Sequence, residues 1–208
     1  SGAMQWMAGD VSATTGIKGA GDFLSKTIRG KVTGESVIKP EYTGDGTLVL
    51  EPTYKHIILL DLDEWGNSIV LDDGLFLACE STLKQKAVRR KTFSSAFAGG
   101  EGFFNLGLKG SGVVCIESDC SREELVEITL EDDVVKIDGN LAIAWSGSLD
   151  FTVERAGKSL LGSAASGEGL VNVYRGTGKV LLAPVGNQAM KPQQVIEKEP
   201  VIVGDDDE

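Results

Sequence analysis

One histidine, three glutamates in a recurring context and a run of five cations are the residues here whose types and spacing suit them to chemistry. His56 is the sole histidine, so no site needing two imidazole ligands can form, and a histidine-based triad has a single candidate base. It leads into the apolar run Ile57–Leu60, the setting of a strand residue, and no Ser or Cys occupies a Gly-x-Ser-x-Gly elbow. Asp61, Asp63, Trp65, Gly66, Asn67 and Asp72 half-imitate a calcium loop, but Trp stands at the fifth position and the short Asp at the twelfth, where such a loop needs Glu. Gly19-Ala20-Gly21 and Gly99-Gly100-Glu101-Gly102 neither follow a strand into a long helix nor carry the Lys-Ser/Thr of a phosphate loop. All of these read as turns. No catalytic residue, cofactor or metal is expected.

Glu35, Glu101 and Glu168 each follow a glycine and open an apolar run. A carboxylate in that place accepts hydrogen bonds from loop amides, a charge-assisted arrangement stronger than a neutral bond. The expectation is that each Glu ties down its own loop. Convergence of the three around an internal threefold axis would instead make a cation site. Lys84, Lys86, Arg89, Arg90 and Lys91 place five cations within eight residues. They read as a solvated strand or loop face, or as a patch for an acidic protein partner or an anionic lipid surface.

The elements that would position these residues are written three times. Gly34-Glu35-Ser36-Val37-Ile38 leads to Gly44-Asp45-Gly46-Thr47-Leu48-Val49-Leu50, Gly100-Glu101-Gly102-Phe103-Phe104 to Gly110-Ser111-Gly112-Val113-Val114-Cys115-Ile116, and Gly167-Glu168-Gly169-Leu170-Val171 to Gly176-Thr177-Gly178-Lys179-Val180-Leu181-Leu182. The Gly-x-Gly copies begin 66 residues apart. Such periodicity means one supersecondary unit used repeatedly. Each Gly-x-Gly reads as a hairpin entry needing positive φ. The segments between the copies match further, among them Leu75-Phe76-Leu77-Ala78-Cys79 with Leu141-Ala142-Ile143-Ala144-Trp145, and Gln5-Trp6-Met7-Ala8-Gly9 reads as a third version of that last strand. On that reading the cycle begins part-way through a unit.

Short apolar runs bounded by Gly, Asp, Asn or Ser predict strands at His56–Leu62, Ser68–Leu71, Leu75–Cys79, Gly112–Ile116, Leu125–Leu130, Val134–Ile137, Leu141–Trp145, Leu170–Tyr174 and Lys179–Ala183. One two-turn helix is predicted over Asp22–Arg29. The fold class is all-β: three similar units with pseudo-threefold symmetry, in a sandwich, barrel or β-helix-like roll. Residues 1–190 are expected to form a single repeat domain, with motifs at 34–52, 100–118 and 167–184, and residues 191–208 an acidic tail.

The net charge is −11, of which the last fourteen residues carry −5, and this balance counts against nucleic-acid binding. Cys79, Cys115 and Cys120 form no Cys-x-x-Cys pair; the first two lie in apolar runs and read as small core residues of a reducing compartment. With no apolar run near the ~20 residues of a membrane helix and no signal-peptide pattern, the expected location is cytoplasmic, with a peripheral membrane position as an extension of the lipid-patch reading.

Met4-Gln5-Trp6-Met7, the central Gly99-Gly100-Glu101-Gly102-Phe103-Phe104 with Gly110-x-Gly112, and Gly167-Glu168-Gly169-Leu170 with Gly176-x-Gly178 together resemble the altered-inheritance-of-mitochondria (number twenty-four), or mitochondrial biogenesis, family over roughly residues 4–184. The resemblance implies a fold like that of the tryptophan RNA-binding attenuation protein, often assembled as a homotrimer, and carries over no catalytic residues. The expectation that follows is a non-enzymatic, oligomeric β scaffold or adaptor. A small-ligand or RNA-binding module is the alternative by fold analogy, which alone says little about function.

Overall fold

The computed structural model describes residues 4–14, 40–51, 53–89, 104–138, 141–155 and 170–184. Nearly all of these are in strands: β1 (Met4–Thr14), β2 (Glu41–Leu50), β3 (His56–Asp61), β4 (Ser68–Leu71), β5 (Phe76–Cys79), β6 (Lys84–Arg89), β7 (Phe104–Lys109), β8 (Val113–Ser118), β9 (Val126–Asp138), β10 (Ala142–Ser146), β11 (Asp150–Arg155) and β12 (Leu170–Leu182). The predicted helix at Asp22–Arg29 lies outside the described residues.

Every described strand pair is antiparallel. β1 and β2 form a two-stranded ribbon, and β3-β8-β5 a small sheet. The largest sheet runs β11-β12-β10-β4-β7-β6, with β9 also paired to β12. Ile58, Leu60, Phe76, Val114 and Ile116 of the small sheet and Ile69, Leu71, Leu106 and Leu108 of the large one bury their side chains in one core. A second core gathers Val70, Trp145, Tyr174 and Val180. There Trp145, Phe151 and Tyr174 pack mutually with ring centroids 5.1–5.3 Å apart, the spacing at which aromatic pairs attract beyond simple burial.

Two stretches of the chain share one set of registers. β5 meets β8 as Phe76↔Ile116, Ala78↔Cys115 and Cys79↔Val114, with an irregularity after Phe76. β10 meets β12 as Ala142↔Leu182, Ala144↔Leu181 and Trp145↔Val180, with an irregularity after Ala142. Each pair is the earlier one moved by 66 positions (76 to 142, 116 to 182). The pairs Lys84↔Lys109 through Arg89↔Phe104 of β6 and β7 recur likewise as Asp150↔Arg175 through Arg155↔Leu170 of β11 and β12. Register follows the alternation of buried and exposed side chains, so two stretches with the same alternation fall into the same pairing although their surfaces differ.

The Gly-x-Gly phrases do not open hairpins. Gly110–Gly112 is a bend that carries the chain from β7 in the large sheet to β8 in the small one, and Gly176 and Gly178 lie inside the continuous β12. Positive φ is nonetheless what they supply, 139° at both Gly110 and Gly112. Opposite the bend in β12 the facing strand carries one extra residue: Glu131 and Asp132 of β9 stand against Thr177 alone, with Asp132 at φ 52° and its amide donating to Thr177 Oγ1 at 3.0 Å. The runs Leu125–Leu130 and Val134–Ile137 are therefore one bulged strand, as are Leu170–Tyr174 and Lys179–Ala183.

Between β3 and β4 the insertion is a 3-10 turn, Leu62–Trp65, capped by Asp61 and closed by Gly66 in the left-handed region. This replaces the half-calcium loop. Asp61 Oδ1 accepts from the Asp63 amide at 3.0 Å, Asp72 Oδ1 accepts from Asn105 Nδ2 at 3.2 Å, and Trp65 is buried in the core. Among the described residues no acidic, His or Cys side chains group as metal ligands. The stretch around Gln5–Gly9 opens β1, which meets β2 as Met4↔Leu50, Trp6↔Val49 and Met7↔Leu48 with an irregularity after Met4, the same register that β5 has with β8 and β10 with β12.

Candidate interaction surface

A bent strand frees amides that must be satisfied, and the acceptors were not legible from the repeat. Glu80, just past β5, accepts from the Val113 amide through Oε2 at 2.8 Å. Ser146, at the end of β10, accepts from the Lys179 amide through Oγ at 3.0 Å. Donors and acceptors both stand 66 positions apart, so these are equivalent devices built from different side chains. Glu35, Glu101 and Glu168, the glutamates expected to tie down loops, lie outside the described residues. Glu80 and Ser146 belong to no shared phrase, so nothing in the sequence marks their common task.

The predicted basic run is partly placed. Lys84, Lys86 and Arg89 belong to β6, an outermost strand of the large sheet, while Arg90 and Lys91 lie outside the described residues. Lys84 stands opposite Lys109 of β7, which the run did not include, and Lys86 stands opposite Gly107. Lys84, Lys86 and Lys109 thus share a face, and all three are exposed. Gly107 leaves room for the Lys86 stem: a Cβ there would lie 3.1 Å from Lys86 Cγ and 2.6 Å from Val88 Cγ2.

Four of the other described cations are paired, Lys55 with Asp119 at 3.6 Å among them, while Lys136 is not. Arg175 meets Glu154 at 2.8 Å, Lys179 meets Glu127 at 2.8 Å and Arg122 meets the same Glu127 at 3.5 Å. No described acidic residue comes within ion-pair distance of Lys84, Lys86 or Lys109. Two like charges directly opposite on a sheet repel, so among the described residues this face carries uncompensated positive charge on an acidic protein.

A second surface is apolar. Among the described residues the exposed large apolar side chains are Met4, Trp6 and Met7 on β1, Ile57 and Leu59 on β3, Val126 and Val134 on β9, and Tyr54 beside β3. Leu59 is 67% exposed and Trp6 49%. Among the described strands β1, β3 and β9 each pair on one side only, with β2, β8 and β12 respectively. Large side chains and open backbone edges therefore coincide.

Leu59 pairs with Cys115, whose thiol is pushed above its usual pKa by burial and then by the nearby Glu117 carboxylate. Such a thiol is a poor nucleophile at neutral pH. Cys79 and Cys115 are half-buried, Cys120 is the buried one, and none of the three is in a disulfide. Ala78, Cys79, Glu80, Val113 and Cys115, from β5 and its partner β8, line an open depression of about 420 Å³.

Carboxylates that do carry depressed pKa values serve structure. Glu124, held down by the Ser121 backbone and side chain, accepts from the Ser121 amide at 2.8 Å and closes the turn before β9. Glu154 is held down by the Arg175 and Thr152 hydrogen bonds across β11–β12.

Comparison with known proteins is consistent with this arrangement. The family model described as "Mitochondrial biogenesis AIM24" matches residues 1–185. An uncharacterised protein of Streptococcus pyogenes serotype M6 is 31% identical over 188 residues, covering 87% of this chain and 73% of that one. A crystal structure of a Streptococcus pyogenes protein superposes with a TM-score of 0.62 at 29% identity, covering 90% of this chain and 82% of the other. The bent, glycine-punctuated strands are those of a chain that belongs to the AIM24 mitochondrial biogenesis family.

Proposed function

We propose that this chain is a non-enzymatic scaffold that works by self-association, as a homotrimer, and that its three Gly-x-Gly stretches are three like units of an attenuation-protein-like fold. The carrying observation is the coincidence of exposed large apolar residues with one-sided strands at β1, β3 and β9. Open edges recruit further strands unless covered, and apolar residues along them make the cover a second copy. The shared registers of β5–β8 with β10–β12, and of β6–β7 with β11–β12, support the like-unit reading. Sedimentation velocity at micromolar concentration tests the assembly: a trimer mass is expected, and a monomer at every concentration rejects it.

Lys84, Lys86 and Lys109 favour a second reading in which the assembled scaffold meets an anionic membrane surface. Each cation near such a surface contributes about 1 kcal/mol, screened by salt. Co-sedimentation with phosphatidylserine vesicles at low salt, lost in Lys84→Ser/Lys86→Ser/Lys109→Ser, is the expected result. Wild-type protein that ignores those vesicles excludes it.

A further inference from the structure

β10 does more than pair with β12. Its far side joins β4, in the register Ala144↔Leu71, Trp145↔Val70 and Ser146↔Ile69. The Asp72 amide donates to Ile143 O at 2.9 Å and the Gly147 amide to Ser68 O at 2.8 Å, one at each end of this seam. Both sides of the seam have a counterpart elsewhere in the chain. β1 meets β2 as β10 meets β12: Met4, Trp6 and Met7 stand 138 positions (6 to 144) before Ala142, Ala144 and Trp145, with the same irregularity after the first pair. The second half of β9 meets β12 as β4 meets β7, since Val134↔Arg175 through Ile137↔Asn172 is Ser68↔Lys109 through Leu71↔Leu106 moved by 66 positions (68 to 134). Among the described strands neither counterpart has a partner on its far side.

We propose that β1 closes onto the free edge of β9 in the same chain, antiparallel, with Trp6 opposite Ile137, Met7 opposite Lys136 and Ala8 opposite Val135. The Gly9 amide then donates to Val134 O as Gly147 donates to Ser68 O, and the Asp138 amide to Gln5 O as Asp72 donates to Ile143 O. This closure rests on the like-unit reading and names the contact between the last unit and the first. The backbone of both edges suits it. Ala8 O and Asp10 O approach Gly46 and Gly44 of β2, so by strand alternation Met7 and Gly9 turn their backbone groups outward. On β9 the Val134 amide is taken up by its neighbour, the Asp133 carboxylate, at 2.7 Å.

Burial tells the two edges of each kind apart. Ala142–Ser146 of β10 are all buried, whereas Met4–Ala8 of β1 are all exposed. Ile69, Val70 and Leu71 of β4 are buried, whereas Val134 of β9 is 46% exposed and Val135 half-buried. Closure sets Trp6 beside Ile137 at the edge of the second core. Leu50 stays half-buried, as its counterpart Leu182 does beside the seamed β10. The occupant is this chain's own β1 because residues 51–55 tie β2 to β3 as residues 119–125 tie β8 to β9, and so short a tether keeps the ribbon at high local concentration. A lone two-stranded ribbon is marginally stable in water, and a third strand steadies it. β3, the Val126 end of β9 and the far half of β1 stay open for a second copy.

Ala8 and Val135, between the bonded positions of the seam, would bring their Cα atoms to about 4.5 Å, within disulfide range. In full-length Ala8→Cys/Val135→Cys, oxidised glutathione should join positions 8 and 135 of one chain, at a rate that does not depend on protein concentration. Non-reducing electrophoresis and peptide mass spectrometry read this bond. Ala8→Cys/Lys136→Cys, whose second thiol points to the other face, should form its bond at least about tenfold more slowly. Trp6 gives a second readout without introduced cysteines, because Trp65 and Trp145 are each 3% exposed and Trp6 is 49% exposed. Lys136→Pro is tolerated on an edge strand but cannot donate across the seam, so it should raise acrylamide quenching of the Trp6 fluorescence. A bond between two chains, no bond, equal rates for the two cysteine pairs, or Trp6 quenched alike in wild type and Lys136→Pro would overturn the closure. A trimer mass without the bond overturns closure alone, and the bond in a protein of monomer mass overturns assembly alone.

Discussion

The β1–β2 ribbon and the β7–β8 and β12 strands are built from the same phrase, and only the latter are stabilised by what surrounds them. Gly44-Asp45-Gly46 is followed by Thr47-Leu48-Val49-Leu50, as Gly110-Ser111-Gly112 is followed by Val113-Val114-Cys115-Ile116. In the second case Val114 and Ile116 are fully buried against Ile58, Leu60 and Phe76. In the first, the apolar residues have only β1 as a described neighbouring strand. A pattern of apolar residues specifies which face a strand buries, and its stability then depends on a second layer that the strand does not itself contain.

Substitutions in equivalent places turn that difference into numbers. Trp145→Ala, which empties the centre of the aromatic trio, should cost about 3–5 kcal/mol, measured by urea denaturation. Ile116→Ala should cost about 3 kcal/mol while its counterpart Leu50→Ala, half-buried in the ribbon, costs about 1 kcal/mol. Comparable losses at the two positions would show that the ribbon is packed in solution. Gly112→Ala should cost about 2 kcal/mol, because φ is 139° and a Cβ would meet Glu80 Oε2 at 2.5 Å.

The smallest effect is electrostatic and belongs to the packed side of the comparison. Glu154 is depressed in the folded state by Arg175 and Thr152, so its contribution is present above the ordinary carboxylate pKa of about 4.3 and fades as pH falls below that value. Amide exchange along β11 should rise in that acid window, and Glu154→Gln should remove the pH dependence. The ribbon, in which no such ion pair is described, should show no matching change.

Much of this contrast was legible in the residues. A short apolar run bounded by polar residues located Ser68–Leu71 to the residue, and the 66-residue spacing of the motifs is also the spacing of the registers that β5–β8 and β10–β12 share. What the residues could not distinguish was a turn from a bend inside a strand. Asp132-Asp133 and Gly-x-Gly look the same whether the chain reverses or merely bulges, because both need the same backbone conformations. β6 was hard to see because an outermost strand carrying Lys84 and Lys86 has no buried alternation to betray it. The site was legible in the basic run but not in Lys109, which joins it only through cross-strand pairing. The exposure of Ile57 and Leu59 was not legible, because nothing in a strand's own sequence says whether its outer face is covered.

Self-association through those uncovered faces is most directly tested by amide exchange of residues 56–61 at low and high protein concentration, with β8 as the internal reference. Outward-facing amides of a one-sided strand exchange quickly until a partner covers them. Protection of β3 should rise with concentration while β8 stays unchanged, and Ile57→Lys/Leu59→Lys should abolish the rise. Equal exchange of β3 at both concentrations in the wild-type protein would contradict assembly through this edge.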